Sequence, residues 1–462
     1  MTNTPTERIK ELNRLQCEYF ATGATLDLSF RKEMLRKLLG AIKQWEKPLY
    51  EALWADLHKS EQEAFLTEVS LVTGEIRNHL RHLSGWARTK CKPTPMQMLP
   101  SRSRIVTEPL GGALIIAPWN YPFQLLLNPL VGAISAGCTA VLKPSPYVPN
   151  VSRVIEEMIS ATFEDRYIAV VQGNREVNTQ LFAERWDIIF FTGSPVLGRT
   201  VMAAAAKNLT PVVLELGGKS PCIITADADL KLAAKRLAWG KALNAGQTCI
   251  APDYVLIDKT IRDAFVDEYF HQVHALLGSN PQETEHFVRM VSDKAFARVA
   301  SYISGPEASG TVRGGRTDAA TRFIEPTVLL DPAPDSAVMT TEIFGPVLPV
   351  CTFEKLEEAV AFVNGREKPL ALYFFGKLGD GKEVVRRTSS GGACINDTIM
   401  HIVNEKVPFG GVGNSGMGRY HGKLSFDAFT HERAVIITPR RLDLPFRYMP
   451  YKLYKLFRLI LG

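Results

Sequence analysis

At 462 residues the chain is longer than one hydrophobic core usually organises, so about two to four domains are expected. A hydrophobic share of 46% beside 22% charged residues excludes a disordered chain, and the formal charge of +6 is too small and too interspersed for a nucleic-acid-binding stripe. The seven cysteines (Cys17, Cys91, Cys138, Cys222, Cys249, Cys351 and Cys394) are odd in number and contain no C-x-x-C pair, which leaves neither a disulfide framework nor a zinc site encoded.

The opening "MTNTPTERIKELNRLQ" is polar and has no apolar signal region. No run approaches the ~18 apolar residues of a membrane span, so a reducing cytoplasm is the expected setting. Residues 5 to about 88 read as helices: "RKEMLRKLLGAIKQWEKPLYEALWADL" repeats apolar positions every three to four residues. The stretch from Lys90 to Pro109 is rich in Pro, Lys and Arg without a clear period, and reads as a linker or as an extended arm that packs elsewhere.

From 111 to 216 the texture changes. "GALIIAP", "TAVLKP", "YIAVVQG", "DIIFFTG" and "PVVLELG" are strand candidates, with "NVSRVIEEMISATF" and "PVLGRTVMAAAAKNL" among the intervening helices. Near-continuous apolar strands separated by helices imply a parallel sheet covered on both faces. After Gly217 the alternation restarts with "SPCIITA", "DYVLID", "VLPVCTF", "LALYFFG" and "GACIN", separated by helices such as "DLKLAAKRLAWGKALN" and "LEEAVAFVN". Two consecutive α/β domains are expected, with a reaction site in the cleft between them. At the C-terminus, "PYKLYKLFRLILG" sets Leu453, Leu456, Phe457, Ile460 and Leu461 against Lys452, Lys455 and Arg458, a basic amphipathic helix that either docks on protein or touches an anionic membrane surface.

Three segments carry candidate chemistry. In "FTGSPVLG", Gly193 and Ser194 end a strand, and Gly198 lies in the helix that follows, whose N-terminus presents amide donors to a phosphate; the G-x-G-x-x-G fingerprint itself is absent. Lys143, at the strand end in "LKPS", is placed to meet a ribose hydroxyl or phosphate, or simply solvent. In "VLELGGKSP", Glu215 sits in an apolar strand before a Gly-Gly turn; a carboxylate there is expensive unless it is paired with a lysine or tuned to act as a base. In "NAGQTCIAPD", Cys249 is a nucleophile or a small apolar filler, and the local pattern does not decide between them.

Taken together, "APWNYPF", "FTGSPVLG", "LELGGKSP", "NAGQTCIAPDY", "EIFGPVLPV" and "VPFGGVGNSGMGRYHG" stand in the order seen in the aldehyde dehydrogenase superfamily, and their wording resembles its class 3 branch. The resemblance covers about residues 10 to 440. It implies a Rossmann-like NAD(P)-binding domain (1–88 and 111–216), a second α/β catalytic domain (217–415), and bridging or oligomerisation segments (89–110 and 416–462). Carried over position by position, it implies that Cys249 is the nucleophile, Glu215 the general base and Asn120 the amide that helps hold an oxyanion. It further implies cofactor contacts at Lys143, Gly193, Ser194 and Gly198, at Glu342 and Phe344, and at Trp119, Leu216 and Gly217. The expected reaction is oxidation of an aldehyde to a carboxylic acid with NAD or NADP, through a cysteine thiohemiacetal and thioester.

One position departs from the pattern: Pro146 stands in "KPSP" where a glutamate often does, which removes a carboxylate that would repel a ribose phosphate and points to acceptance of NADP as well as NAD. The candidate substrate-wall residues Tyr121, Ile399, Met400 and Ile402 favour medium-chain aliphatic or aromatic aldehydes. A homodimer is expected, as in class 3-like enzymes. Three rivals stand beside this reading: a coenzyme A-acylating relative, against which Glu215 argues; a Cys-His hydrolase, for which no histidine neighbours Cys249 in sequence; and a catalytically silent scaffold of the same fold.

Overall fold

The computed structural model describes residues 2–443, 448–451 and 454–461. Two largely parallel sheets carry the architecture. The first contains, from edge to edge, Gly416–Met417, Val212–Leu216, Ile188–Gly193, Gly112–Ile116, Thr139–Lys143 and Ile168–Val170. All of its strands pair in parallel except the short Gly416–Met417 strand, which adds antiparallel to the edge. Alternate residues explain the apolar strand sequences: Leu114, Ile116, Val141, Ile189 and Phe191 join one core cluster, while Ala113, Ile115, Leu142, Ile188 and Phe190 join another on the opposite face.

The second sheet runs Thr311–Arg313, Thr327–Leu330, Val347–Phe353, Tyr254–Asp258, Pro221–Ile224, Ala371–Phe375 and Gly392–Ile395. The five strands legible in the sequence are all present. Two were not legible: Thr327–Leu330 is only four residues long and follows Pro326, and Thr311–Arg313 is a mostly exposed, antiparallel edge strand. Neither offers the long apolar run that marks a buried strand.

The Lys90–Pro109 segment is largely extended structure. Lys90–Lys92, Arg102–Pro109 and Thr430–Ile437 form an antiparallel three-stranded sheet, with Thr430 opposite Pro109 and Ile437 opposite Arg102. The expected bridging segment 416–462 is thereby divided. Gly416–Met417 belongs to the first sheet, and Lys423–Ala428 packs on the fully buried helix Gln124–Ala136, where a Cβ on Gly132 would lie 2.7 Å from the Ser425 carbonyl oxygen. Among the described residues of this segment, only Thr430–Ile437 enters the three-stranded sheet.

A helix forms at Tyr454–Leu461, but Lys452 and Leu453 and the side chains of Leu456, Phe457, Ile460 and Leu461 lie outside the described residues, so the two-faced pattern is not placed. Among the described residues no helix is long and apolar enough to cross a membrane.

Candidate active site

The first sheet changes direction between Gly112–Ile116 and Ile188–Gly193: the chain adds strands on one side of Gly112–Ile116 and then returns to the other. Ligands in such sheets sit beyond the carboxyl ends of the strands at this switch. A cleft of about 680 Å³ opens there, lined by Trp119 and Asn120 after the first strand, Thr192, Gly193 and Ser194 at the end of the next, and Glu215, Leu216 and Gly217 at the end of the third. From the second domain come Cys249, Glu342 and Phe344. Ten of the twelve site residues expected from sequence therefore share one cleft. Lys143 and Gly198 are outside its lining.

Gly198 has a packing reason to be glycine, since a Cβ there would meet the end of the Leu216 side chain at 2.8 Å and push it aside. Lys143 is buried, donates to the Pro144 carbonyl oxygen at 2.8 Å, and is pushed down to about 8 by burial. Ser194 caps the helix Pro195–Ala206, its hydroxyl accepting from Leu197 N, and Pro195 occupies the first turn where its missing N–H costs nothing. That helix N-terminus faces the cleft and can hold an anion.

Cys249 is presented by an unusual turn. Asn244, Ala245 and Gly246 follow one another with φ of 51°, 51° and 71°, and a Cβ on Gly246 would lie 2.3 Å from the Gly345 carbonyl oxygen. Strained left-handed residues of this kind persist where the surroundings over-determine them. Asn244 Nδ2 donates to the carbonyls of Asn120 and Gln247, and Asn120 Nδ2 donates to Gln247 O, each at 3.0 Å. Asn120 is thus tied to the turn that carries Cys249, and one N–H of its amide remains for a ligand.

The apolar-filler reading of Cys249 does not match this placement, since the residue is only partly buried and faces the cleft. Burial and the carboxylates of Glu342 and Glu215 raise its pKa. Glu215 is buried, neither carboxylate oxygen has a hydrogen-bond partner, and desolvation pushes its pKa well above the usual carboxylate range. The alternative in which it pairs with a lysine is therefore not what the structure contains.

Glu342 is also raised by burial, to about 8, and its Oε1 is unpartnered. Its approach to the Gly-Gly turn requires glycine: a Cβ on Gly217 would lie 2.0 Å from Glu342 Oε2. Trp119 and Phe344 meet edge to face with ring centroids 5.3 Å apart.

Several supporting residues were not singled out from sequence. Lys219 forms an ion pair with Asp253 and donates to Val338 O at 2.8 Å and Thr341 O at 3.0 Å; Asp253 accepts from Ile343 N at 3.1 Å, and Arg298 donates to Ile343 O at 2.7 Å. Together they lock the segment bearing Glu342. Lys219 and Asp253 stood inside the motifs "LELGGKSP" and "NAGQTCIAPDY", and their charge in apolar surroundings was the available signal.

No local signal marked the buried Lys59–Glu68 pair at 2.7 Å. A π-helical turn, Phe65–Val69, carries Glu68 inward, where it accepts from Phe123 N and Gln124 N while Lys59 donates to Asn120 O at 3.1 Å. Lys59 thus holds the Asn120 loop from 61 residues away in sequence.

Cys394 Sγ lies 3.4 Å from His401 Nδ1, a Cys–His contact that sequence reading did not anticipate; neither residue lines the cleft. Cys138 and Cys222 are buried as expected of core cysteines, whereas Cys351 and Cys394 are only partly so.

Beyond Cys249 lies a second cavity of about 550 Å³, mainly apolar, whose walls include Tyr121, Ile399, Met400 and Ile402 together with Leu71 and Trp239. The four wall residues proposed from sequence are thus brought together. A third cavity of about 30 Å³ is wedged between the other two and is lined by both Cys249 and Glu215.

A parallel dinucleotide-type sheet whose cleft holds a thiol and an unpaired carboxylate defines a two-domain α/β oxidoreductase. Residues 7–435 match the aldehyde dehydrogenase family, and the chain belongs to it. It is 46% identical over 435 residues to the 4,4'-diaponeurosporen-aldehyde dehydrogenase of Staphylococcus aureus, covering 94% of this chain and 95% of that protein. It is 42% identical to the dimeric NADP-preferring aldehyde dehydrogenase of Canis lupus familiaris, covering 96% and 98%. Among solved structures, the substrate-bound state of Staphylococcus aureus AldH superimposes with a TM-score of 0.96 at 43% identity, covering 98% of this chain and 99% of that one. The protein is an NAD(P)-dependent aldehyde dehydrogenase, and nothing supports the scaffold alternative.

Proposed function

We propose that the chain oxidises medium-chain aliphatic or aromatic aldehydes to carboxylic acids, with Cys249 as nucleophile, Glu215 as general base and Asn120 as oxyanion donor. The observation that carries this is the small cavity: a thiol and an unpaired carboxylate face one space that opens between the large polar-ended cleft and the apolar cavity. The aldehyde chain fits the apolar side.

The residues on the other side fit a dinucleotide. Gly193, Ser194 and the helix N-terminus at Pro195 offer donors to its pyrophosphate, and Glu342, with an unpartnered oxygen beside the cradle at Gly217, offers an acceptor to a ribose hydroxyl. Trp119, Leu216 and Phe344 supply apolar walls. Lys143 would reach the adenosine ribose by exchanging its bond to the Pro144 carbonyl oxygen for a ribose hydroxyl, and Gly198 leaves room for the Leu216 side chain beneath the phosphate-facing helix. Bound NAD(P) supplies the hydride acceptor.

Cys249 must lose its proton before it attacks the aldehyde carbon. Its thiol is raised by its surroundings, so attack quickens as pH rises through neutrality. The alkoxide of the thiohemiacetal accepts from the free Asn120 amide N–H and from the Cys249 backbone N–H, donors set in place before charge develops. After hydride loss, Glu215 takes a proton from water, whose oxygen bonds to the thioester carbon; the C–S bond breaks and its electron pair returns to Cys249.

Wild type mixed with hexanal or benzaldehyde is expected to reduce both NAD and NADP, followed by near-ultraviolet absorbance. No reduction with either cofactor sinks the reading, and strong exclusion of NADP sinks the part resting on Pro146. The name of the canine relative favours NADP use and a dimer. A homodimer is also favoured by the edge strand Thr430–Ile437, which leaves Ile436 and Ile437 nearly half exposed. Seven free cysteines suit a reducing cytoplasm. Gly217→Ala displaces Glu342 and is expected to raise the KM for either cofactor by about tenfold, with an unchanged far-ultraviolet circular dichroism spectrum as the folding control.

A further inference from the structure

The third cavity contains more unsatisfied polar groups than a thiol and a base require. Besides both oxygens of Glu215, the Thr192 hydroxyl, the Gln124 Nε2 amide and the Tyr420 hydroxyl are buried without a hydrogen-bond partner, and all of these residues line the same space of about 30 Å³. Buried polar groups of this kind are almost always satisfied, and a polar cavity above ~10–15 Å³ with two to four partners is what an ordered water occupies.

Resting on the mechanism above, we propose that Tyr420, Gln124 and Thr192 are positioning residues that hold the hydrolytic water against Glu215 and the thioester.

Each is rigidly placed. Thr192 sits opposite Glu215 in the parallel register of neighbouring strands, so their side chains share a face. Gln124 begins the buried helix Gln124–Ala136 and is anchored through its N–H to Glu68. Tyr420 is tied by a double backbone bridge to Phe409, and its ring packs edge-on against Phe190 and Phe409 at 5.1 and 5.8 Å. Gln124 Nε2 lies near enough to the Tyr420 hydroxyl to donate to it after a small adjustment. Burial and the neighbouring Glu215 and Cys249 keep the phenol protonated.

The inventory balances. The Tyr420 O–H donates to one lone pair of the water oxygen, with Gln124 Nε2 steadying the phenol, while Glu215 accepts one of the water protons and the Thr192 hydroxyl the other; the second lone pair stays free for the thioester carbon. The water oxygen's electron pair then forms the C–O bond as Glu215 takes the proton, and the C–S pair returns to Cys249.

Rapid mixing of wild type, Tyr420→Phe and Thr192→Val with NAD and hexanal tests this, with acid-quenched enzyme weighed by mass spectrometry. Expected is a near-wild-type first turnover of reduced cofactor in both variants. Their steady rate falls by about tenfold, the KM for NAD is unchanged, and a hexanoyl adduct accumulates on Cys249. A wild-type steady rate in both variants overturns the proposal, as does a slowed first turnover without adduct, which would make Tyr420 and Thr192 merely structural. Wild type that never forms a thioester would instead overturn the mechanism itself.

Discussion

Cys249→Ala is expected to abolish aldehyde-dependent reduction of NAD and NADP, lowering kcat/KM by about 10⁴-fold or more, because removal of a covalent nucleophile eliminates the pathway and not merely one contact. The fold should survive. Cys249 is only partly buried, and the turn that presents it is held by Asn120, Asn244 and Gln247 without help from the sulfur. Cofactor affinity, measured by fluorescence quenching, should therefore stay within a few-fold of wild type. Residual oxidation above about 1% of wild type would remove Cys249 from the nucleophile role.

Glu215→Gln separates the two halves of the reaction. An amide cannot take the proton from water, so a single turnover of reduced cofactor followed by a steady rate lower by about 10²–10⁴-fold is expected. The same substitution should stabilise the protein. Burial raises the folded-state pKa of Glu215, so the native state binds its proton more tightly than the unfolded chain. Stability is then fully present below the ordinary carboxylate pKa and is lost as pH rises through the folded value. Removing the ionisable group restores a gain on the order of 1 kcal/mol at neutral pH, read as a higher Tm that vanishes in acid. A lowered Tm at pH 7.5 would mean that the carboxylate has a stabilising partner after all.

Tyr420 stood in a motif quoted for its family wording, "VPFGGVGNSGMGRYHG", yet nothing in that wording distinguishes a cavity-lining phenol from a core tyrosine. The same is true of Gln124, which reads as one polar residue at the start of an apolar helix. Glu215 was different, because a carboxylate inside a five-residue apolar strand is anomalous wherever the strand ends up. The Lys59–Glu68 pair was illegible for a further reason: its meaning lies in holding Asn120, a residue 61 positions away from Lys59.

The sequence by itself determined the ten principal strands and the helices that cover them, and it marked Glu215 as a charge out of place; the pairing of Cys249 with that acid came only from the family resemblance. All but that pairing are set by local hydrophobic period or by a charge out of place, which short-range chemistry makes readable. Tertiary structure alone decided that the 90–109 arm pairs with Thr430–Ile437, that Gly416–Met417 returns to the first sheet, and that Lys143 and Gly198 lie off the cleft. It alone gathered the orphan groups of Thr192, Gln124, Glu215 and Tyr420 around one small cavity. These are long-range juxtapositions, fixed by how packed layers close on one another, and no periodicity along the chain encodes the distance between two residues that only the closed fold makes neighbours.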